Sequence, residues 1–209
     1  MKPTRDTYTE LERAYDHFNR ALFGNALPPC VITLQRKRGA FGYFWGNTWS
    51  ETKGASLTDE IALNPDSFQT RSVEAVLSTL VHEMCHLQQH HDGKPSRSGY
   101  HNKEWARMME AVGLIPSDTG AAGGKKTGQR VTHYIEAGGV YEAACAALVA
   151  EGFSIPWQAR TRDEATARKK RASKTKYACP SCAVNAWAKP DTRLICGDCA
   201  EPMAAEETA

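Results

Sequence analysis

Apolar side chains recur at helical spacing through Leu11, Ala14, Tyr15, Phe18, Ala21 and Leu22, which predicts an opening helix over 8–23. Thr7 and Glu10 form a capping-box pattern ahead of it, and Gly24, Asn25 and the pair Pro28-Pro29 stop it. Residues 31–36 alternate, with Ile32 and Leu34 on one face, and read as a strand. The aromatic runs 41–45 and 48–49 read as a second and third strand joined by a tight turn at Gly46-Asn47, and 61–63 adds another short strand. Val73, Val76, Leu77, Leu80, Met84 and Leu87 then form the buried stripe of a helix that Ser72 caps and that ends near Asp92-Gly93. After a loop over 94–99, a further helix starts near Asn102, carries Trp105, Met108, Met109 and Val112, and closes at Gly113. Residues 117–130 form a glycine-rich basic loop, most simply a surface connection. A strand over 131–136 and an alanine-rich helix over 140–151 follow. Helices interspersed with a few short strands predict an α+β fold.

The central helix carries His82-Glu83-Met84-Cys85-His86, an H-E-x-x-H pattern. On a helix, residues four apart lie on one face, so His82 and His86 can grip one metal ion while Glu83 handles a proton beside it. Such a set points to metal-assisted hydrolysis, most readily of peptide bonds. A catalytic zinc takes three protein ligands and keeps one position for water, so a third ligand is needed. Asp92, Glu104 and His101 compete for that place. A ligand at Asp92 calls for a glycine three residues earlier, where this chain has Gln89. Alone, the five-residue pattern also occurs by chance in ordinary helices. Tyr100, His133 and Tyr134 are possible oxyanion donors, each more readily structural. Glu104 is also a candidate to orient the histidines. His90 and His91 read as helix-end residues facing the last carbonyls. Cys85 reads as packing, and His17 and His133 otherwise receive no role.

Cys179, Cys182, Cys196 and Cys199 form two C-x-x-C pairs separated by thirteen residues, the spacing of a tetrahedral Cys₄ structural zinc site. One catalytic and one structural zinc are therefore expected. Trp187 between the pairs reads as ribbon core, with base stacking as the alternative. The expected organisation is a core over 1–158, a basic linker over 159–177 and a zinc ribbon over 178–203.

Here the chain resembles the SprT-like metallopeptidases, whose eukaryotic members include the Spartan DNA–protein crosslink proteases. The resemblance rests on the opening helix, the strands, His82-Glu83-x-x-His86, and a histidine at the mouth of the next helix, where His101 stands. It extends over roughly residues 8–200 and is sharpest at the motif and the ribbon. It implies a zincin-like core, a zinc held by His82, His86 and His101, and Glu83 as general base. It also implies the terminal Cys₄ ribbon that many bacterial members carry. Spartan-type proteases use DNA to reach protein substrates, which implies an endopeptidase acting on DNA-associated or DNA-crosslinked proteins.

Charge sharpens that expectation. The 209-residue chain has a formal net charge of only +2, too small to signal a polyanion partner. Yet 159–178 holds eight basic residues (Arg160, Arg162, Arg168, Lys169, Lys170, Arg171, Lys174 and Lys176) against Asp163 and Glu164. That stretch is +6, so the remainder sums to −4. Concentrated positive charge before a ribbon suits non-specific phosphate contact; its plainer reading is a solvated linker. No apolar run is long enough to span a membrane and the N-terminal residues are polar, so a cytoplasmic location is expected. Two rival classes stand beside the DNA-directed peptidase. One is a nucleic-acid-binding or regulatory zinc protein with a weakly active core. The other is a general cytosolic peptidase without a DNA role.

Overall fold

Pro3 sets where the chain first becomes helical. Its ring fixes φ and lacks an N–H that the first turn would leave unpaired anyway. Helix α1 accordingly spans Pro3–Phe23 in the computed structural model, which describes residues 2–159 and 174–206. The expected capping box at Thr7 and Glu10 therefore lies inside the helix and caps nothing; Thr7 is buried against the core. Gly24, in the left-handed region at φ 61°, closes α1. The chain divides into two compact units, Met1–Thr161 and Arg162–Ala209. Arg160, Arg162, Arg168, Lys169, Lys170 and Arg171 lie outside the described residues.

In the first unit, β1 (Val31–Leu34) runs parallel to β3 (Leu57–Leu63), and β2 (Gly42–Ser50) pairs antiparallel to β3's other side. The sheet order β1-β3-β2 leaves β2 at an edge. The two short strands expected around Gly46-Asn47 are one strand. There the chain bulges, with a register shift between Trp45 and Trp49 and Asn47 in the left-handed region at φ 52°. Asn-Gly-type composition marks a backbone irregularity, and here the irregularity bends a strand without reversing it.

Helix α2 spans Val73–Asp92, and its Ser72 Oγ cap accepts the Ala75 N–H at 3.2 Å. Every residue from Val76 to Cys85 is buried. The helix contacts β2 and β3, α3 (Lys103–Ala111), α1, and α4 (Val140–Ala150), so it is enclosed on several sides. The apolar stripe captured only part of that burial, because Ser78, Thr79, His82 and Glu83 are polar residues buried with it. Strand β4 (Leu114–Ser117), which the pattern did not predict, pairs antiparallel with β5 (Thr132–Ile135). Pro116 would be costly in a central strand; a two-stranded ribbon consists of edges and tolerates it. Helix α4 is tied down by Tyr141, whose ring stacks on Phe18 and whose hydroxyl donates to the Glu74 carbonyl at 2.6 Å.

The second unit carries β6 (Thr175–Ala178), β7 (Asn185–Ala188) and β8 (Ala204–Ala205) in the order β7-β6-β8. With helices on small sheets and a terminal cysteine cluster, the fold is α+β. Among the described residues no helix is long and apolar enough to cross a membrane.

Candidate metal centre

His82 and His86 sit one turn apart on α2, their ring centroids 5.2 Å apart. His101 stands just before α3 and brings its ring within 5.6 Å of His82 and 4.9 Å of His86. One nitrogen from each ring lies within 4.8 Å of the others. Trp105, completely buried, forms the floor: its ring stacks on His86 and meets His82 and His101 edge-on. Asn102 sets this geometry by capping α3, accepting the Trp105 N–H at 2.9 Å.

The backbone also orients His101. Its N–H donates to the Gly128 carbonyl at 2.9 Å, and the Gly128 N–H returns a bond at 3.0 Å. His101 Nδ1 lies 3.2 Å from the same carbonyl. A carbonyl only accepts, so Nδ1 carries the proton and Nε2 presents its lone pair. The basic loop thus reaches the site through its far end.

His82 is oriented by a residue to which the sequence assigned no positioning role. His133 on β5 places Nδ1 3.0 Å from His82 Nδ1 and Nε2 2.8 Å from Ser78 Oγ, and Ser78 donates to the Ala75 carbonyl at 3.0 Å. Read back from that carbonyl, each donor is determined: Ser78 O–H to Ala75, His133 Nε2–H to Ser78, His82 Nδ1–H to His133. The chain leaves His82 Nε2 unprotonated. Nothing in local sequence signals this, since His133 is fifty-one residues from His82. We expect His133→Ala to weaken zinc binding at the histidine cluster by about 10–100-fold. Chelator competition measures this, and a change confined to melting temperature would show His133 to be packing alone.

Burial governs the charge states. It lowers His82 well below its ordinary range, with the neighbouring His133, His86 and His101 adding to the effect. Burial takes His86 to about 3, with His101 contributing. His133 falls to about 4 by burial and then by the positive Arg71, while His101 is lowered by burial against an opposing bond to Gly128. Neutral imidazoles with free lone pairs are the protonation state that metal binding requires. Burial pushes the Glu83 carboxyl up to about 8, moderated by the charge of Lys37. A divalent cation beside it favours the carboxylate. Gly42 lets β2 approach: a Cβ there would stand 2.8 Å from the Ala62 carbonyl oxygen and 3.1 Å from Glu83 Oε1.

The other candidates fall elsewhere. Asp92 is exposed at the end of α2. Glu104 Oε2 accepts Gln89 Nε2 at 2.8 Å and the Lys94 N–H at 2.7 Å, so its carboxylate ties the end of α2 to the start of α3 and is held below its ordinary range by those donors. His91 Nε2 reaches the Asp59 carboxylate at 2.7 Å in place of helix carbonyls. Cys85 is buried, and burial raises its thiol, which suits packing. Tyr100 and His133 both line the cleft, which measures about 910 Å³. His133 already uses both nitrogens, and Tyr134, next along the strand, points to the opposite face.

The ribbon holds the second cluster. One sulfur from each of Cys179, Cys182, Cys196 and Cys199 lies within 4.8 Å of the rest. Cys182 and Cys196 are 3.7 Å apart. Zinc–sulfur bonds near ~2.3 Å in a tetrahedron place sulfurs about 3.8 Å apart, so the spacing fits zinc. The two knuckles repeat one backbone pattern. Ala183 N–H bonds to Cys179 O and Ala200 N–H to Cys196 O, both at 2.9 Å, and both alanines take left-handed φ, 57° and 56°. Amide donors, Cys182 first and then Ser181, lower the Cys179 thiol to about 7. Both clusters are compatible with zinc.

A sequence profile of the SprT-like family matches residues 11–126. A Salmonella typhimurium protein described as "Uncharacterized protein in mucB 3'region" is 63% identical over 59 residues, covering 28% of this chain and 80% of that protein. No solved structure matches the chain. The matched profile spans α1 through α3 and includes all three histidines and Glu83, and on that match the chain belongs to the SprT-like family.

Proposed function

We propose that this protein is a zinc-dependent endopeptidase that cleaves proteins associated with or crosslinked to DNA. The observation that carries the hydrolytic part is the convergence of three neutral imidazoles beside a buried carboxylate at an open cleft. His82, His86 and His101 would hold the catalytic zinc, and Cys179, Cys182, Cys196 and Cys199 a structural one. Bound zinc supplies a Lewis acid that acidifies water and polarises a carbonyl. Glu83 takes the proton from water as its oxygen attacks the scissile carbon. It returns that proton to the leaving nitrogen as the C–N bond breaks. Tyr100, at the cleft wall, is the remaining candidate donor to the developing oxyanion.

Substrate binding follows from β2. Among the described residues the strand is paired on one side only, and residues 42–46 line the cleft. An extended polypeptide can add to such an edge through main-chain hydrogen bonds, which suits cleavage within a chain.

The DNA part rests on the +6 charge of 159–178 and on family membership. Phosphate contacts by this stretch would give sequence-independent, salt-sensitive affinity. We expect the full chain to bind duplex DNA with an affinity that falls steeply with salt, and removal of residues 159–209 to abolish that binding. We also expect faster cleavage of a DNA-bound protein than of the same protein free. Fluorescence anisotropy and gel-resolved proteolysis measure the two. Binding unchanged by the truncation would take the DNA contact away from the basic stretch, and binding absent throughout would leave a general peptidase; binding without cleavage would favour a regulatory zinc protein.

A further inference from the structure

A third group of side chains able to ligate a metal stands outside the histidine and cysteine clusters. Asp59 lies on β3 with its side chain only 4% exposed, and it faces the last turn of α2. His91 Nε2 lies 2.7 Å from Asp59 Oδ2, and His90 Nε2 lies 3.8 Å from Oδ1. One atom from each of the three lies within 4.8 Å of the others.

This convergence runs against helical geometry. Adjacent residues on a helix diverge by about 100°, so neighbouring imidazoles ordinarily point apart. Here both rings turn onto one carboxylate, their planes 86° apart. The strand makes room for it. At Gly46 a Cβ would stand 2.7 Å from His90 Cε1 and 2.8 Å from Nε2, so any other residue there would push the ring from this position. The bulge then turns Asn47 into the left-handed region, aiming its N–H at Asp59 Oδ1 (2.7 Å) and its side-chain amide at His90 Nε2 (3.1 Å). Because an amide nitrogen only donates, His90 Nε2 is the accepting nitrogen, and its lone pair is held by the Asn47 amide, which an ion would displace.

We propose that Asp59, His90 and His91 form a further divalent-metal site, taking a transition ion of the zinc class. Two imidazoles and a carboxylate suit zinc, nickel or cobalt, whereas magnesium and calcium require mostly oxygen. The site shares no residue with the catalytic cluster, though His90 follows His86 by one turn and lines the same cleft. An ion there clamps the end of α2 to the β2–β3 bulge. It binds more weakly than the zinc of the other two clusters, because it displaces the His91–Asp59 and Asn47–His90 contacts and because His90 and His91 are partly exposed.

The test is equilibrium dialysis of the full chain against excess zinc, with bound metal counted by mass spectrometry and melting temperature followed in parallel. Wild type should take up one more equivalent than His91→Gln or Asp59→Asn, and added zinc should raise the melting temperature of wild type further than that of either variant. The difference between wild type and variant decides the matter, so the outcome does not depend on whether the catalytic cluster fills. Should Asp59→Asn fail to fold, the partly exposed His91→Gln decides alone. Equal uptake by wild type and His91→Gln would overturn the site.

Discussion

Glu83→Gln should abolish peptide-bond hydrolysis while zinc remains bound. The amide keeps the shape of the carboxyl but takes no proton from water, and general acid–base catalysis of this kind contributes about 10²–10⁴-fold. Glu83 is buried beside the histidines and under Gly42, so a near-isosteric amide is the gentlest change available there. Metal content should be unaffected, because in the proposed site the three imidazoles would supply the ligands. The measurement pairs cleavage rate with zinc per chain. Cleavage persisting at the wild-type rate in a zinc-loaded variant would remove Glu83 from the chemistry. Loss of both metal and cleavage would make it structural.

Cys182→Ser should unfold the ribbon and leave the first unit folded. The second unit has strands of only four, four and two residues, and its buried apolar side chains among the described residues are Tyr177, Cys179 and Cys196. So small a core cannot offset the entropy of ordering the segment. Structural zinc in small domains supplies roughly 10–16 kcal/mol of apparent binding energy at neutral pH, most of it spent on folding. We expect wild type dialysed against metal-free buffer to keep two zinc ions per chain. One should be lost in His86→Ala and the other in Cys182→Ser. Limited proteolysis should cut Cys182→Ser within 178–203 and spare His86→Ala there. A ribbon that stays protected in Cys182→Ser would show that its strands hold without the metal.

How much of this was legible in the chain depends on the range of the interaction. The H-E-x-x-H pair and the C-x-x-C pairs are short-range devices, set by helix pitch and knuckle geometry, and their spacing survives in any fold that keeps the local structure. Ser72 was legible as a cap, and the helix start near Asn102 was legible, for the same reason. The strand bulge was half legible: Gly46-Asn47 announced a break, but whether a break reverses a chain depends on what pairs with it. Here β3 pairs on both sides of the break and holds β2 in one line. Strand β4 was hidden because Pro116 is costly in most sheets and harmless on an unpaired edge. His90 and His91 looked like helix-end residues because their partner, Asp59, lies more than thirty positions away.

The sequence by itself determined the donor types and their local spacing: two histidines on one helical face, a carboxylate between them, and four cysteines in two knuckles. Only the tertiary structure decided which distant residues complete and orient the centre. It brought His101 to the pair through Gly128, placed His133 behind His82, and kept Glu104 and Asp92 away. The physical reason is that spacing along a helix is dictated by backbone hydrogen bonds within one turn. The approach of separate elements is dictated by the packing of Trp105, α2 and the sheet, which no short stretch of residues encodes.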